Sequence, residues 1–524
     1  MITLFKYSKN LFGVTTGIVF FVTCLVSCEQ YHKNSTHQNV TNESIDKGKE
    51  LAAVYCGSCH LLPDPSMLNA KSWEKGVLPM MGPRLGIFYH GFAQYSSAKY
   101  DREIGEQFYP AKPLINPGEW QNIIDYYSAL APDTLIASKD DVPVTMSLPL
   151  FKAETPAYKY QNPRISFAGI DTLAHPAALY ICDVSKSMVR FNSSLQLVDS
   201  VQSKSPVVYI DFKQADAVLC NVGIITPNNG SYGSANRLLL NANDRMEYDS
   251  VVMFKDLKRP VQITGTDLNT DGREDYLVCE YGNLKGALSW MENLGDNKFE
   301  RHVLKENPGA IKAYIRDNNK DGLPDIYVLF AQGDESISIF TNKGNGLFEE
   351  KQVLRFPPYN GSSYFELADF NKDGFPDIVY TCGDNADFSA ILKPYHGVYI
   401  YTNDSKNNFT QQYFFHLNGC FKAMARDFDN DSDLDIATIS FFADYKNRPE
   451  EGFVYLENNG GFTFNPYSLP ETKQGRWLTM DAGDLDGDGK IDLVLGNFSA
   501  PAMIKSSVSF ENGPPFLVLK NMGR

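Results

Sequence analysis

Positive charge is what this chain has least of. Across 524 residues, 48 lysines and arginines stand against 63 aspartates and glutamates, a formal net charge of −15. A surface of that sign does not track a phosphate backbone, which excludes nucleic acid as a partner class. Cysteine is scarce too, with nine in all. Cys24 and Cys28 fall in the N-terminal leader, Cys56 and Cys59 stand as a close pair, and Cys182, Cys220, Cys279, Cys382 and Cys420 are scattered. Five scattered thiols are an odd number, so they are no complete disulfide framework; buried strand positions account for them. Tryptophan is rarer still, at four, which excludes a repeat built on regular tryptophan docking. No nucleophile–base pair stands out, so no reaction is legible. With 43% hydrophobic residues the composition is that of an ordinary globular protein, long enough for more than one domain.

The N-terminus reads as an export signal. Lys6 and Lys9 precede an apolar run from Leu11 to Val26, a signal segment rather than a stable transmembrane helix. The stretch Leu25-Val26-Ser27-Cys28 resembles the lipobox of bacterial lipoproteins. That resemblance implies removal of residues 1–27, diacylation of Cys28 and attachment to the cell envelope through lipid, facing the periplasm or the cell surface. Losing Lys6 and Lys9 takes the net charge from −15 to −17. Residues 28–41 are polar and aperiodic, as expected of a flexible tether.

Cys56-Gly57-Ser58-Cys59-His60 is the most specific motif in the chain. Two thiols on one helical turn reach the two vinyl groups of a porphyrin, and the adjacent imidazole meets the iron from the same side. A zinc site would want a second ligand pair nearby, and the next cysteine is Cys182. A dithiol redox site would want a βαβ context, which is missing. One covalent haem c is therefore expected on Cys56 and Cys59, with His60 as axial ligand. Around the motif, Ile45, Leu51, Ala52 and Tyr55 mark one face of a helix over 44–55. Trp120, Ile123, Ile124, Tyr127 and Leu130 mark a second, opened by Asn116-Pro117-Gly118-Glu119. Residues 42–137 thus resemble a class I cytochrome c, a small all-α domain. The resemblance implies that the two terminal helices cross and that a loop methionine supplies the sixth iron ligand. Met80 is favoured, with Met81 and His90 left open.

From residue 260 onward one phrase returns five times. Asp267, Asn269, Asp271 and Asp275 occupy positions 1, 3, 5 and 9 of the first copy. Asp317, Asn319, Asp321 and Asp325 follow, then Asp369, Asn371, Asp373 and Asp377, then Asp427, Asp429, Asp431 and Asp435, and finally Asp484, Asp486, Asp488 and Asp492. The first positions lie 50, 52, 58 and 57 residues apart, an interval of solenoids, arrays or propellers. Oxygen ligands at this spacing, with glycine at position 6, suit a hard cation such as Ca²⁺, about five ions in all. An EF-hand would continue into a helix with a glutamate at position 12; these loops run instead into strands such as YLVCE and IYVLF. Ser432 replaces the glycine in the fourth copy. A second phrase, Asn293…Phe299, Asn342…Phe348, Asn403…Phe409 and Asn458…Phe462, reads as a hairpin turn.

Each unit is then four antiparallel strands. The paired phrases resemble FG-GAP/VCBS repeats, which implies a calcium-braced all-β propeller of the kind seen in integrin α chains. Residues 160–255 are strand-rich without the ligand pattern, Asp171 and Asp211 being remnants at best. Two degenerate and five calcium blades make seven blades over 145–524. The last lacks its final strand, and Leu148–Glu154 looks like that strand, closing the ring. Long connections on the face opposite the calcium loops, carrying Asp384, Asn385, Lys393, Tyr395, His396 and Asp444, are candidates for a pocket. The expected function is haem electron transfer with partner or ligand binding by the propeller. Such partners are a redox protein, a small molecule or a glycan. The alternatives are a haem-coupled oxidoreductase acting on a sugar or alcohol, and an adhesion or polysaccharide-binding lipoprotein.

Overall fold

Six-residue runs dominated by apolar side chains decide the architecture. Asp275–Glu280, Asp325–Phe330, Asp377–Cys382, Asp435–Ser440 and Asp492–Asn497 are buried at every position, as is Ala178–Asp183. A strand buried on both faces must lie between two other layers, here the neighbouring blades. The strands two places further on do the reverse. Phe348–Arg355, for example, alternates glutamate, lysine and glutamine toward solvent, as an outer strand does. The computed structural model describes residues 31–136, 142–158, 160–214, 216–241, 245–386, 390–499 and 508–523. The expected signal segment and Cys28 lie outside them. Among the described residues no helix is long and apolar enough to cross a membrane.

Seven four-stranded antiparallel sheets form the propeller. Their first strands, Ile165–Asp171, Val207–Phe212, Pro260–Thr266, Ala310–Arg316, Ser362–Ala368, Cys420–Arg426 and Trp477–Gly483, pack against one another around a central channel. We number the blades 1 to 7 in that order. Blade 7 takes its outer strand from the other end of the propeller sequence: Phe151 pairs with Asn521 and Glu154 with Val518. The ring therefore closes with the strand expected to close it. The five scattered cysteines are buried and unpaired.

Side-chain staples join each inner strand to the next. Asp211 accepts the Gly265 amide at 2.9 Å, and Gln262 both accepts from Ala313 N and donates to Ala313 O. Tyr314 and Tyr364 share a hydroxyl bond of 2.9 Å, and Glu366 accepts the Ala425 amide. Lys422 donates to Met480 O, Asp481 accepts from Ile170 N, and Ser166 donates to Val207 O. These seven links run once round the ring, and six of them satisfy backbone groups that separate sheets would otherwise leave open.

Helices α1 (Asn42–Tyr55), α2 (Ala70–Ser72), α3 (Leu78–Met81) and α4 (Pro117–Leu130) precede the propeller. Thr41 caps α1, and Asn116 with Glu119 forms a reciprocal capping box on α4. The two long helices cross at Gly48, where an added Cβ would lie 1.9 Å from the Asn122 carbonyl oxygen. Trp120 and Tyr127 fill the space beneath, both almost fully buried. The described part of the expected tether is folded. Asn34 is buried and bonds the Ala129 and Ala131 carbonyls at the end of α4, while His37 meets Glu74 at 2.6 Å. The free carbonyls of a helix end attracted a side-chain donor that sequence periodicity does not reveal. Residues from Lys33 onward, helices and propeller together, form one compact unit.

The crossing sets a first test. Gly48→Leu should force the helices apart and cost about 2–4 kcal/mol. Thermal unfolding followed by helical circular dichroism measures this, and an unchanged transition would contradict the packing.

Candidate functional site

Asp275, Asp325, Asp377, Asp435 and Asp492, the ninth positions of the five loops, are almost wholly buried. In each, one carboxylate oxygen accepts the backbone amide of the following hairpin asparagine, Asn293, Asn342, Asn403, Asn458 or Asn521, at 2.8–2.9 Å. In four of the loops the other oxygen accepts the amide of position 2, at Leu268, Asn318, Phe370 and Leu485. The same asparagines donate from Nδ2 to the carbonyl of position 8. Asn342 and Asn521 reach further, to the Leu268 and Phe428 carbonyls in the loop of the preceding blade. The two phrases in each repeat are thus one device, an Asp–Asn brace between two hairpins. Spacing alone showed the phrases and not their bond.

The first, third and fifth positions turn their oxygens inward. Position 1 accepts amides from positions 5 and 6, as in Asp427 with Asp431 N at 3.1 Å and Ser432 N at 3.0 Å. This winding needs positive φ at positions 4 and 6. Lys320 and Gly322 show 61° and 86°, Asn430 and Ser432 show 62° and 77°. The fourth loop therefore keeps the shared conformation in spite of its serine. Carboxylate oxygens of Asp427, Asp429 and Asp431, and of Asp484, Asp486 and Asp492, lie within 4.8 Å of one another. Burial, with neighbouring carboxylates adding to it, pushes Asp435 and Asp492 up to about 6. Lysines and arginines offset part of this charge: Arg273 contacts Asp271, Lys490 meets Asp488 at 2.6 Å and Lys520 contacts Asp486.

In the helical segment, α1 runs directly into the cysteine pair. Cys56 and Cys59 are unpaired thiols, the first half-buried and the second exposed. Burial pushes the Cys56 thiol up to about 11, with the Tyr127 hydroxyl beside it. His60 Nδ1 lies 2.8 Å from the Leu61 carbonyl oxygen, which can only accept. Nδ1 is therefore the donor, and in the neutral ring Nε2 keeps the lone pair. Met80 and Met81 are half-buried on α3. His90 Nε2 is engaged by Gln121 Oε1 at 2.7 Å.

The helical segment sits on the propeller face that carries the middle connections. Asn229 donates to Asp101 at 2.8 Å while accepting from Asn283 and Leu284, joining the connections of blades 2 and 3 to the helices. Tyr395 of blade 5 donates its hydroxyl to the Met67 carbonyl at 3.0 Å. The connections expected to line a pocket are packed instead. Lys393, buried, donates to Asn385 Oδ1 at 2.7 Å, Asn385 donates to Ile391 O, and His396 is fully buried. Asp384 holds the Ala386 amide, and Asp444 holds Asn447. Apart from His396, whose ring nitrogens have no hydrogen-bond partner among the described residues, these polar groups are consumed in holding long loops in shape.

The description FG-GAP-like repeat matches residues 267–328, 317–380 and 427–495, each match beginning on a first-position aspartate. The chain carries FG-GAP-like repeats. Among curated proteins, cartilage acidic protein 1 of Mus musculus is 28% identical over 170 residues, 30% of this chain and 24% of that protein. The T-cell immunomodulatory protein homolog of Plasmodium falciparum is 23% identical over 297 residues, 51% of this chain and 40% of that protein. The chain thus matches well under half the length of these relatives. The solved N-terminal domain of Nup159 aligns over 73% of this chain and 98% of that domain at 11% identity, with a TM-score of 0.43.

Two substitutions test the repeat. Ser432→Gly should stabilise the protein by about 0.5–1 kcal/mol, because glycine adopts the left-handed conformation without strain. Asn342→Ala should cost about 2–3 kcal/mol, since it strands the Leu268 and Pro324 carbonyls. Denaturant midpoints at fixed slope measure both; equal midpoints for all three proteins would refute the brace.

Proposed function

We propose that this protein is an envelope-anchored electron carrier whose helical segment binds one haem c and whose propeller binds a partner or ligand. A β-propeller of FG-GAP-like repeats fits ligand or partner binding, and the rest is our reading. One observation carries it: the intact Cys56…His60 motif, with both thiols free and His60 Nδ1 bonded to the Leu61 carbonyl. Cys56 and Cys59 would hold the porphyrin, His60 the iron, and Met80, which lies on helix α3 rather than in the expected loop, the opposite side. Such a group supplies one-electron transfer. Tyr127 packs beside Cys56 and Trp73, closing the inner side of the site to water. Removal of residues 1–27 and lipidation of Cys28 would attach the protein to the envelope.

Ca²⁺ is the second proposed cofactor, held by the five loops. Their fit rests on oxygens gathered without enough basic side chains to neutralise them. A second functional reading, a haem-coupled oxidoreductase acting on a sugar or alcohol, draws support from geometry. The cysteine-bearing segment and the long connections share one face, so a ligand held there would lie next to the electron acceptor.

Protein matured in a periplasm equipped for haem attachment should gain the mass and absorption of one covalent haem, and Cys59→Ala should lose stable attachment. A haem-free wild type would defeat the reading. Chelation should lower the melting temperature, because one site at a hundredfold excess of ion over Kd contributes about 2.7 kcal/mol. An unchanged melting curve with no bound metal by elemental analysis would remove Ca²⁺ from the account. Candidate sugars or alcohols that leave the haem oxidised would count against the second reading alone.

A further inference from the structure

The central channel holds two lysines that the repeat does not require. Lys312 and Lys422 each occupy the third position of an inner strand, in blades 4 and 6. Inner strands start on the face of the middle connections, so both lysines sit toward the end of the channel under the helical segment. Both residues are half-buried. Lys312 Nζ lies 4.8 Å from the ring centre of Tyr314, 5.2 Å from Tyr209 and 5.9 Å from Tyr364. Lys422 Nζ lies 4.8 Å from the Tyr364 ring centre. Ring faces steady an ammonium without cancelling its charge.

Each acid of the channel holds another partner through at least one oxygen, and Glu366 and Asp481 act on both lysines through space. Glu366 accepts from Arg426 and the Ala425 amide, Asp211 from Lys213 and the Gly265 amide, and Asp481 from the Ile170 amide. Lys312 Nζ has no hydrogen bond or ion pair to any described residue, and Lys422 has one bond, to Met480 O. Burial, with Lys422 second, pulls the Lys312 amine down to about 8. The Tyr314–Tyr364 pair spends one of its two hydroxyl protons internally, which leaves one to donate outward. Lys312 thus stands without a bonded acceptor, beside Lys422 and a phenol that has a proton to donate.

We propose that this lysine–tyrosine cluster in the channel is a binding site for a small oxyanion, a carboxylate or a phosphate, held by Lys312, Lys422 and the Tyr314–Tyr364 pair. An acceptor of that kind would take the donors that Lys312 and the phenol leave unbonded. The site is independent of haem and of Ca²⁺.

Titration calorimetry of the mature full-length protein with inorganic phosphate and, separately, with acetate distinguishes the two sources. One saturable site per chain is expected for at least one of them, with Lys312→Met and Lys422→Met each weakening it tenfold or more and Lys312→Arg retaining it. No saturable heat from either anion at millimolar concentration overturns the proposal, as does unaltered binding in both methionine variants. Should those variants melt early, the wild type alone decides. Reductive methylation of Lys312, read by mass spectrometry, should be slowed by the bound anion, and equal labelling with and without it refutes the site.

Discussion

A buried aspartate at the end of each loop holds this protein in register. In four of the five loops its two oxygens take backbone amides from two different hairpins, and in the fourth loop the Tyr455 hydroxyl replaces one of them, so the inner turn and the outer turn of a blade cannot shift relative to one another. A carboxylate with no solvent contact is tolerated because charge-assisted bonds replace its water. The asparagine that supplies one of those amides extends, in blades 4 and 7, to the loop of the blade before. Blade-to-blade order on the loop face depends on this bond, and the winding that gathers positions 1, 3 and 5 starts from the same anchored end.

The other end of each blade is governed by a different constraint. Inner strands have unpaired edges where neighbouring sheets diverge, and seven separate side-chain links fill them. Those links differ chemically from blade to blade: carboxylate, amide, phenol, ammonium and hydroxyl each appear. Freedom in that choice is what allowed lysines and tyrosines into the channel. A ring closed by the strand Phe151–Glu154 makes the whole arrangement mutually supporting, since no blade is terminal.

The helical segment is coupled to this ring through few but specific contacts. Asn229 and Tyr395 belong to connections longer than a blade needs, and both are spent on Asp101 and the Met67 carbonyl. Long loops on this face therefore serve first as a seat for the cysteine-bearing helices. Their remaining polar groups, Lys393 and Asn385 among them, stabilise the loops internally.

Local structure was legible in the chain itself. The helix leading into Cys56 could be read because its cap and its apolar face are set by neighbouring residues. Aspartates at alternate positions name a loop because its geometry is set by adjacent residues. Blade number and closure were readable too, from the interval of the repeat and the orphan strand at 148–154. Tertiary structure alone decided what depends on residues far apart in sequence. The Asp–Asn braces join positions 17 or more apart, and Asn34 reaches the end of α4 across 95 residues. Lys312 and Tyr209 meet only because the ring folds their blades around one axis. The expected pocket residues illustrate the same limit. Sequence places Lys393, Asn385 and His396 in one loop, but only packing determines whether a polar group faces a ligand or a neighbour. Here Lys393 bonds Asn385, Asn385 bonds the Ile391 carbonyl, and His396 is buried.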